Sequence, residues 1–415
     1  MASNQTAASV SARPGSDPAS VGRLVAWVFG LAPVLLFLLT WSEELSVLQQ
    51  IARGYALPVL AAELSIISIA VSEGFTLRNP QPLPVILLAA LGVVAWGTAA
   101  VAPYPALALP RTGTWTIHLF FALALVSLAR GQMLDFHQLR IAIQTGFLLT
   151  FALLVIFVAT TEQTAEERVS ALPAVGNIRW FGYYAAAVTG LAAPGFLRGN
   201  RLALLVATMA FTLAFWTGTR GAIAAAIAGF SVSAILLDEF RSPQVWGRFL
   251  LCGLAGLVLS GGLAALVPID AQGLDSIDRV DDSGRVEFWL ATIDSIRARP
   301  LLGWGDGQTV RFSVPLWGVA YPQPHNIVLQ VVHAWGAIGG VLCLGLASWA
   351  APLFLRARGK KAAPFQLSAL MVAAYSLIDG SLYHVQSVAL FTLCVAAAIA
   401  AGIEENSQGS PPSSV

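Results

Sequence analysis

A single histidine, His325, ends the polar run Tyr321-Pro322-Gln323-Pro324-His325-Asn326 and stands directly before a long apolar stretch, Ile327 to Leu346. An imidazole at this membrane–water boundary is titratable without being permanently cationic. The positive end of the following helix disfavours an imidazolium, which suits a general base. Arg220 lies in the turn Thr217-Gly218-Thr219-Arg220-Gly221, and Arg285 follows Ser283-Gly284. Both are permanently charged planar forks that can make paired hydrogen bonds to a phosphate. Two guanidiniums and a base could together displace a phosphorylated leaving group. The arginines would neutralise the charge that develops on the departing oxygen, and the histidine would take the proton of the attacking hydroxyl.

Other residues could complete or surround this chemistry. Asp379, followed by Gly380-Ser381 and then His384, is an ionisable group at a span boundary, placed to orient His325 or to pair with an arginine. Asn177 and Arg179, in Asn177-Ile178-Arg179-Trp180-Phe181-Gly182, suit phosphate or sugar, while Trp180 and Phe181 equally suit an interfacial aromatic belt. Asn326 adjoins the histidine. Each candidate also has a plainer reading: a snorkelling side chain for Arg220, a surface pair with nearby carboxylates for Arg285, a helix cap for His325. Glu63 is mid-span with no partner evident in sequence, and His118 and His333 read as satisfied histidines within spans.

The elements that position these residues must be membrane helices. Of 415 residues, 57% are hydrophobic and only 11% charged, and the mean hydropathy is +0.73, whereas about a quarter of the residues in soluble domains carry charge. Apolar runs near the length that crosses a hydrocarbon core of roughly 30 Å begin around Gly22, Tyr55, Leu83, Thr112, Ile141, Trp180, Leu202, Gly221, Arg248, Ile327, Phe365 and Val385. The expected fold is therefore an all-α polytopic membrane protein of about twelve spans. Its single membrane domain covers 22–402, between a disordered cytoplasmic tail, 1–21, and a second tail, 403–415. The first tail lacks the apolar core and cleavage site of a signal peptide.

With the N-terminus cytoplasmic, thirteen basic residues fall on the inside, against Arg53, Arg111, Arg168, Arg179 and Arg220 in short outside loops. This obeys the positive-inside rule. Both longer loops, 160–179 and 268–325, are then external. Within the second, Val286, Leu290, Ile293 and Ile296 recur at helical spacing up to Pro300, predicting a helix over Val286 to Ala298 that lies along the membrane surface. Asp281-Asp282-Ser283-Gly284 would cap it. Cys252, Cys343 and Cys394 all lie in apolar segments without ligand spacing, which indicates neither disulfide nor zinc. No phosphate-binding glycine loop follows a strand, and no basic patch interleaved with aromatics points to nucleic acid.

The ordered set Gly176-Asn177, Thr219-Arg220-Gly221, Ser283-Gly284-Arg285 with Trp289, Pro300-Leu301-Leu302-Gly303-Trp304-Gly305, and His325-Asn326 with Gln330 and Trp335-Gly336 resembles the O-antigen ligase superfamily. That superfamily includes lipopolysaccharide O-antigen ligases, polysaccharide polymerases and protein O-oligosaccharyltransferases. The resemblance implies a GT-C-type glycosyltransferase of the bacterial inner membrane with its active site facing the periplasm. It further implies metal-independent, inverting transfer without a cofactor, from an undecaprenyl-pyrophosphate-linked glycan to a lipid A-core hydroxyl or another glycan acceptor. On the same basis Arg220 and Arg285 hold the pyrophosphate, His325 activates the acceptor, and Asp379 matches a following acidic residue.

A polymerase or protein oligosaccharyltransferase would use the same chemistry on another acceptor. A polytopic lipid or solute transporter is the reading from another class. Against it, the polar candidates cluster on one face, and the halves of the chain do not resemble each other.

Overall fold

The computed structural model describes residues 17–42, 45–75, 81–161, 172–174, 176–197, 199–267, 284–318, 320–357 and 361–409, and these are almost entirely helical. The helices are α1 (Pro18–Leu39), α2 (Val47–Tyr55), α3 (Leu57–Ser72), α4 (Pro82–Ala100), α5 (Pro105–Arg130), α6 (Phe136–Thr160), α7 (Arg179–Ala192), α8 (Pro194–Leu197), α9 (Arg201–Trp216), α10 (Arg220–Leu236), α11 (Pro243–Leu266), α12 (Arg285–Ala298), α13 (Val310–Trp317), α14 (Ile327–Arg356), α15 (Ala363–Ser376) and α16 (Val385–Gly409). Local chemistry sets their starts. Asp17, Asp135, Asn200 and Asn326 accept first-turn N–H groups of α1, α6, α9 and α14, and prolines open α1, α4, α5 and α11.

All twelve expected spans are helices, but of unequal length. Seven are long and apolar enough to cross a membrane, and α2 with α3, bent by 61°, forms an eighth if taken as one span. The helices α7, α9, α10 and α15 have only 14 to 17 residues. The chain is a polytopic membrane protein by this architecture. α7 is buried on every side from Phe181 to Ala192. Its small residues, Ala185-Ala186-Ala187 and Gly190, let α15 and α9 approach closely, as apolar helix packing in lipid requires. By contrast α4 and α11 turn Val93, Leu250, Leu254 and Val258 outward.

Several expected boundaries move. α1 begins at Pro18, inside the stretch assigned to the N-terminal tail, and α16 continues to Gly409, past the expected tail boundary. Residues 1–16, 162–171 and 268–283 lie outside the described residues, so the caps expected at Asp281 to Ser283 do too. Arg111, assigned to an external loop, lies instead within α5 and is only 7% exposed. The span expected from around Thr112 starts earlier, with Pro105 opening the helix and Pro110 accommodated inside it. Glu63 has a partner after all: His118 Nδ1 of α5 lies 2.8 Å from Glu63 Oε1 of α3, both buried. His333 Nε2 lies 3.1 Å from Ser295 Oγ.

α14 is broken at Gly336, whose φ of 64° and ψ of −169° are accessible essentially only to glycine. The segment Pro300–Gly305 fills the break. Trp304 N–H and Gly305 N–H donate to the His333 and Ala334 carbonyls at 2.9 and 2.8 Å. Ala337 N–H donates to the Pro300 carbonyl at 2.8 Å and Ile338 N–H to the Leu301 carbonyl at 3.2 Å. Backbone groups freed by the break are thereby paired, as burial near lipid demands. The same pairing anchors the C-terminal end of α12 beside α14. At the other end, Trp289 Nε1 donates to the Pro324 carbonyl at 2.8 Å, so α12 is fixed directly beneath the His325 segment.

Candidate functional site

His325 has a φ of 54°, a left-handed conformation uncommon for a residue with a Cβ and often found where a side chain must be aimed. The Gln323 side chain holds this turn by accepting the His325 N–H through Oε1 at 2.6 Å. The next residue, Asn326, caps α14 by accepting the Leu329 N–H at 3.0 Å, and its amide donates to the Leu377 carbonyl at 2.8 Å. Asn326, expected in substrate binding, thus spends both polar ends on tying the start of α14 to the end of α15.

Asp379 follows α15 and is 3% exposed. Its Oδ1 lies 2.8 Å from His325 Nδ1 and accepts the Tyr183 hydroxyl at 2.9 Å and the Gly380 N–H at 2.7 Å. Its Oδ2 lies 3.4 Å from the Arg285 guanidinium. Burial alone would raise this carboxyl. The hydrogen bond and charge of His325, the charge of Arg285 and the Gly380 N–H outweigh burial and hold it well below the usual carboxylate range. An ionised carboxylate can only accept, so its contact favours the proton on Nδ1 and the lone pair on Nε2, while the Gln323 amide nitrogen lies 3.1 Å from Nδ1 and 3.5 Å from Nε2. His325 keeps 21% of its side chain exposed and Arg285 31%, so both can meet a ligand that Asp379 itself cannot reach.

The remaining arginines gather around the same end of the bundle. Asn177 accepts the Arg179 N–H at 2.9 Å, which fixes the first turn of α7 and brings Arg179 to the surface half-buried. One turn on, Gly182 packs against Thr219, where a Cβ would come within 2.8 Å of the threonine Cβ; this sets the turn carrying Arg220 beside α7. Tyr375 packs against Gly221 and, edge to face at 4.7 Å, against Tyr183. It lies within electrostatic reach of Asp379, Arg179 and Arg285. Arg220 itself is exposed at the start of α10. Residues separated by up to 196 positions therefore converge: His325, Asp379, Arg285 and Tyr183 in direct contact, with Arg179 and Arg220 on adjoining helix ends.

Sequence reading missed three contributors. Tyr183 carries no signal that separates it from any aromatic on an apolar helix. Gln323 was visible only as part of the polar run. Arg111 was hidden by its misplaced helix boundary. It lies 3.5 Å from Asp306 Oδ2, donates to the Tyr383 carbonyl, and stacks over the Tyr383 ring at 3.5 Å. Trp115 Nε1 also donates to Asp306 Oδ2 at 3.0 Å. This buried cluster secures the turn after Asp379 from below, and it pushes the Tyr383 phenol up to about 12, first by burial and then, against the Arg111 charge, by Asp306.

No curated protein matches the chain. Arg220, Arg285, His325 and the Gly336 break all fall within a stretch that matches a family model, whereas Asn177, Arg179 and Asp379 fall outside it. That model is described as O-antigen ligase, and it matches residues 203–344 of the chain.

Proposed function

We propose that the protein is a membrane glycosyltransferase that moves a glycan from undecaprenyl pyrophosphate to a hydroxyl of a lipid A-core acceptor at the periplasmic face of the inner membrane. The observation that carries this reading is the His325–Asp379–Arg285 arrangement: a base whose tautomer is set by a buried carboxylate, next to a guanidinium open to solvent.

In this mechanism His325 Nε2 takes the proton of the acceptor hydroxyl as its oxygen attacks the anomeric carbon. The bond from that carbon to the pyrophosphate oxygen breaks on the opposite face, so configuration inverts. Arg285 and Arg220 neutralise the charge that grows on the leaving pyrophosphate, and because that charge develops in the transition state, fixed cations there lower the barrier. Asp379 keeps its negative charge throughout and stabilises the imidazolium formed beside it. Arg285 offers Asp379 one edge of its fork at 3.4 Å, which leaves its other N–H groups for a phosphate.

The test is transfer of an undecaprenyl-pyrophosphate-linked glycan to purified acceptor by His325→Ala at wild-type expression. Transfer should be lost, and full activity would remove His325 as the base. A lipopolysaccharide gel of a deletion strain separates acceptors. Loss of all capped species with accumulation of lipid-linked polymer supports the ligase, and survival of a single-repeat cap supports a polymerase.

A further inference from the structure

Arg299, the C-cap residue of α12, and Arg311, in the first turn of α13, place their guanidiniums 4.0 and 3.6 Å from the centre of the Trp304 ring. The indole is itself held, with Nε1 donating to the Ser295 carbonyl at 2.8 Å and the backbone N–H donating into the α14 break. Among the described residues no carboxylate lies within ion-pair distance of either arginine, because Asp294, the acidic residue at this end of α12, is taken by Arg297 at 2.7 Å. The cations feel one another. Burial first, and the Arg299 charge second, lower Arg311 from its ordinary value. Two guanidiniums stacked on one aromatic, with no carboxylate paired to them among the described residues, form a preorganised receptor for a phosphate, since stacking occupies their faces and not their N–H edges.

Position identifies the carrier of that phosphate. Beyond Gly336, α14 runs from Ala337 to Arg356, about twenty residues and roughly 30 Å, enough to cross the hydrocarbon core without the segment before the break. The break, and Trp304 hydrogen-bonded into it, therefore sit at the headgroup level on the His325 side. Next to them Leu301 and Leu302 are 63% and 54% exposed. A pair of cations above two outward leucines fits an amphiphile rather than a free ion. The 14 residues of α12 place Arg285 and Arg299 about 20 Å apart along its axis, so this locus is distinct from the His325 centre.

We propose that Arg299 and Arg311, stacked on Trp304, bind the phosphate headgroup of a lipid in the adjoining leaflet, with its chains lying against Leu301 and Leu302. The site needs no part of the His325 chemistry. Native mass spectrometry of the full-length protein in detergent, titrated with phosphatidic acid or with diacylglycerol of the same chains, tests it. Wild type and His325→Ala should retain phosphatidic acid alike and should not retain diacylglycerol. Arg299→Gln/Arg311→Gln should need about tenfold more phosphatidic acid, the loss expected for charge-assisted bonds to phosphate. Arg299→Lys/Arg311→Lys, which keeps charge but not the stacked forks, should also bind more weakly. Equal retention by wild type and the glutamine pair overturns the site, undiminished retention by the lysine pair overturns its stacked geometry, and displacement by equimolar inorganic phosphate overturns the lipid as its occupant.

Discussion

His325 and Asp379, separated by 54 positions in the chain, meet at 2.8 Å, with a carboxylate oxygen against imidazole Nδ1, while the Gln323 amide nitrogen lies 3.5 Å from Nε2. The carboxylate is buried while the imidazole is partly exposed. Exchange of the carboxylate for an amide should therefore be informative. Asp379→Asn keeps the shape and the capacity to accept from Tyr183 and Gly380, but loses the charge that stabilises an imidazolium and can present an N–H to Nδ1. We expect turnover to fall by roughly 10²-fold or more, as when a buried carboxylate is removed from behind a catalytic histidine. Steady-state transfer kinetics with unchanged expression is the measurement, and wild-type turnover would exclude the dyad.

Tyr183→Phe removes one donor to Asp379 while retaining the ring against Tyr375. The carboxylate keeps its contacts with His325, Gly380 and Arg285, so the loss is that of a single hydrogen bond to a charged group, about 1.5–3 kcal/mol. A fall of about tenfold or more in kcat with KM held constant is expected. A change confined to KM would place Tyr183 in substrate binding instead.

The pH dependence has a defined sign. Asp379 is held below the usual carboxylate range, so its interactions contribute stability above the unfolded carboxyl pKa of about 4 and lose it as pH falls through and below that value. The difference in thermal midpoint between wild type and Asp379→Asn in detergent should shrink as the buffer is taken from about pH 5 to more acidic values. A difference that grows below about pH 5 would mean that the fold stabilises the protonated carboxyl instead.

Much of this arrangement could be read from residue order alone. The apolar runs locate twelve helices, and the spacing of Val286 to Ile296 finds α12 within a residue of its start, although Val286 and Leu290 are 48% and 58% exposed and the buried residues are Phe288 and Thr292. Arg220, Arg285 and His325 stand out because charge is scarce in so apolar a chain. Pairings were not legible where they depend on how helices dock. Glu63 finds His118 across α3 and α5, and Tyr183 finds Asp379 across 196 positions. Asn326 shows a second role that the sequence does not announce, since a polar residue beside a candidate base is also in the position where a helix needs a cap. Arg111 falls just before the apolar run that begins around Thr112, whereas the helix itself starts at Pro105 and takes Arg111 into its first turns.

The Gly336 break makes a mechanical prediction. Gly336→Ala would put a side chain on a backbone conformation costing about 1–3 kcal/mol, and its Cβ would be driven into the Leu301–Leu302 backbone that fills the break. Since that backbone also anchors α12, the variant should lose thermal stability and weaken the Trp289–Pro324 tie under His325. A variant with wild-type melting and wild-type transfer would show that the inserted segment does not position the site.

The Glu63–His118 pair is best tested by a double-mutant cycle. Both groups are buried between α3 and α5, and Glu63 Oε2 has no hydrogen-bond partner, so the pair is only half satisfied. Removal of one member leaves the other buried without its counterpart, a loss of about 3–5 kcal/mol, whereas removal of both replaces a desolvated pair by apolar packing that lipid-facing helices tolerate well. Glu63→Leu and His118→Leu should each lower the thermal midpoint strongly, and the double variant should recover most of the loss. Simple additivity would mean that the two side chains act independently, and that the 2.8 Å contact contributes nothing to holding α3 against α5.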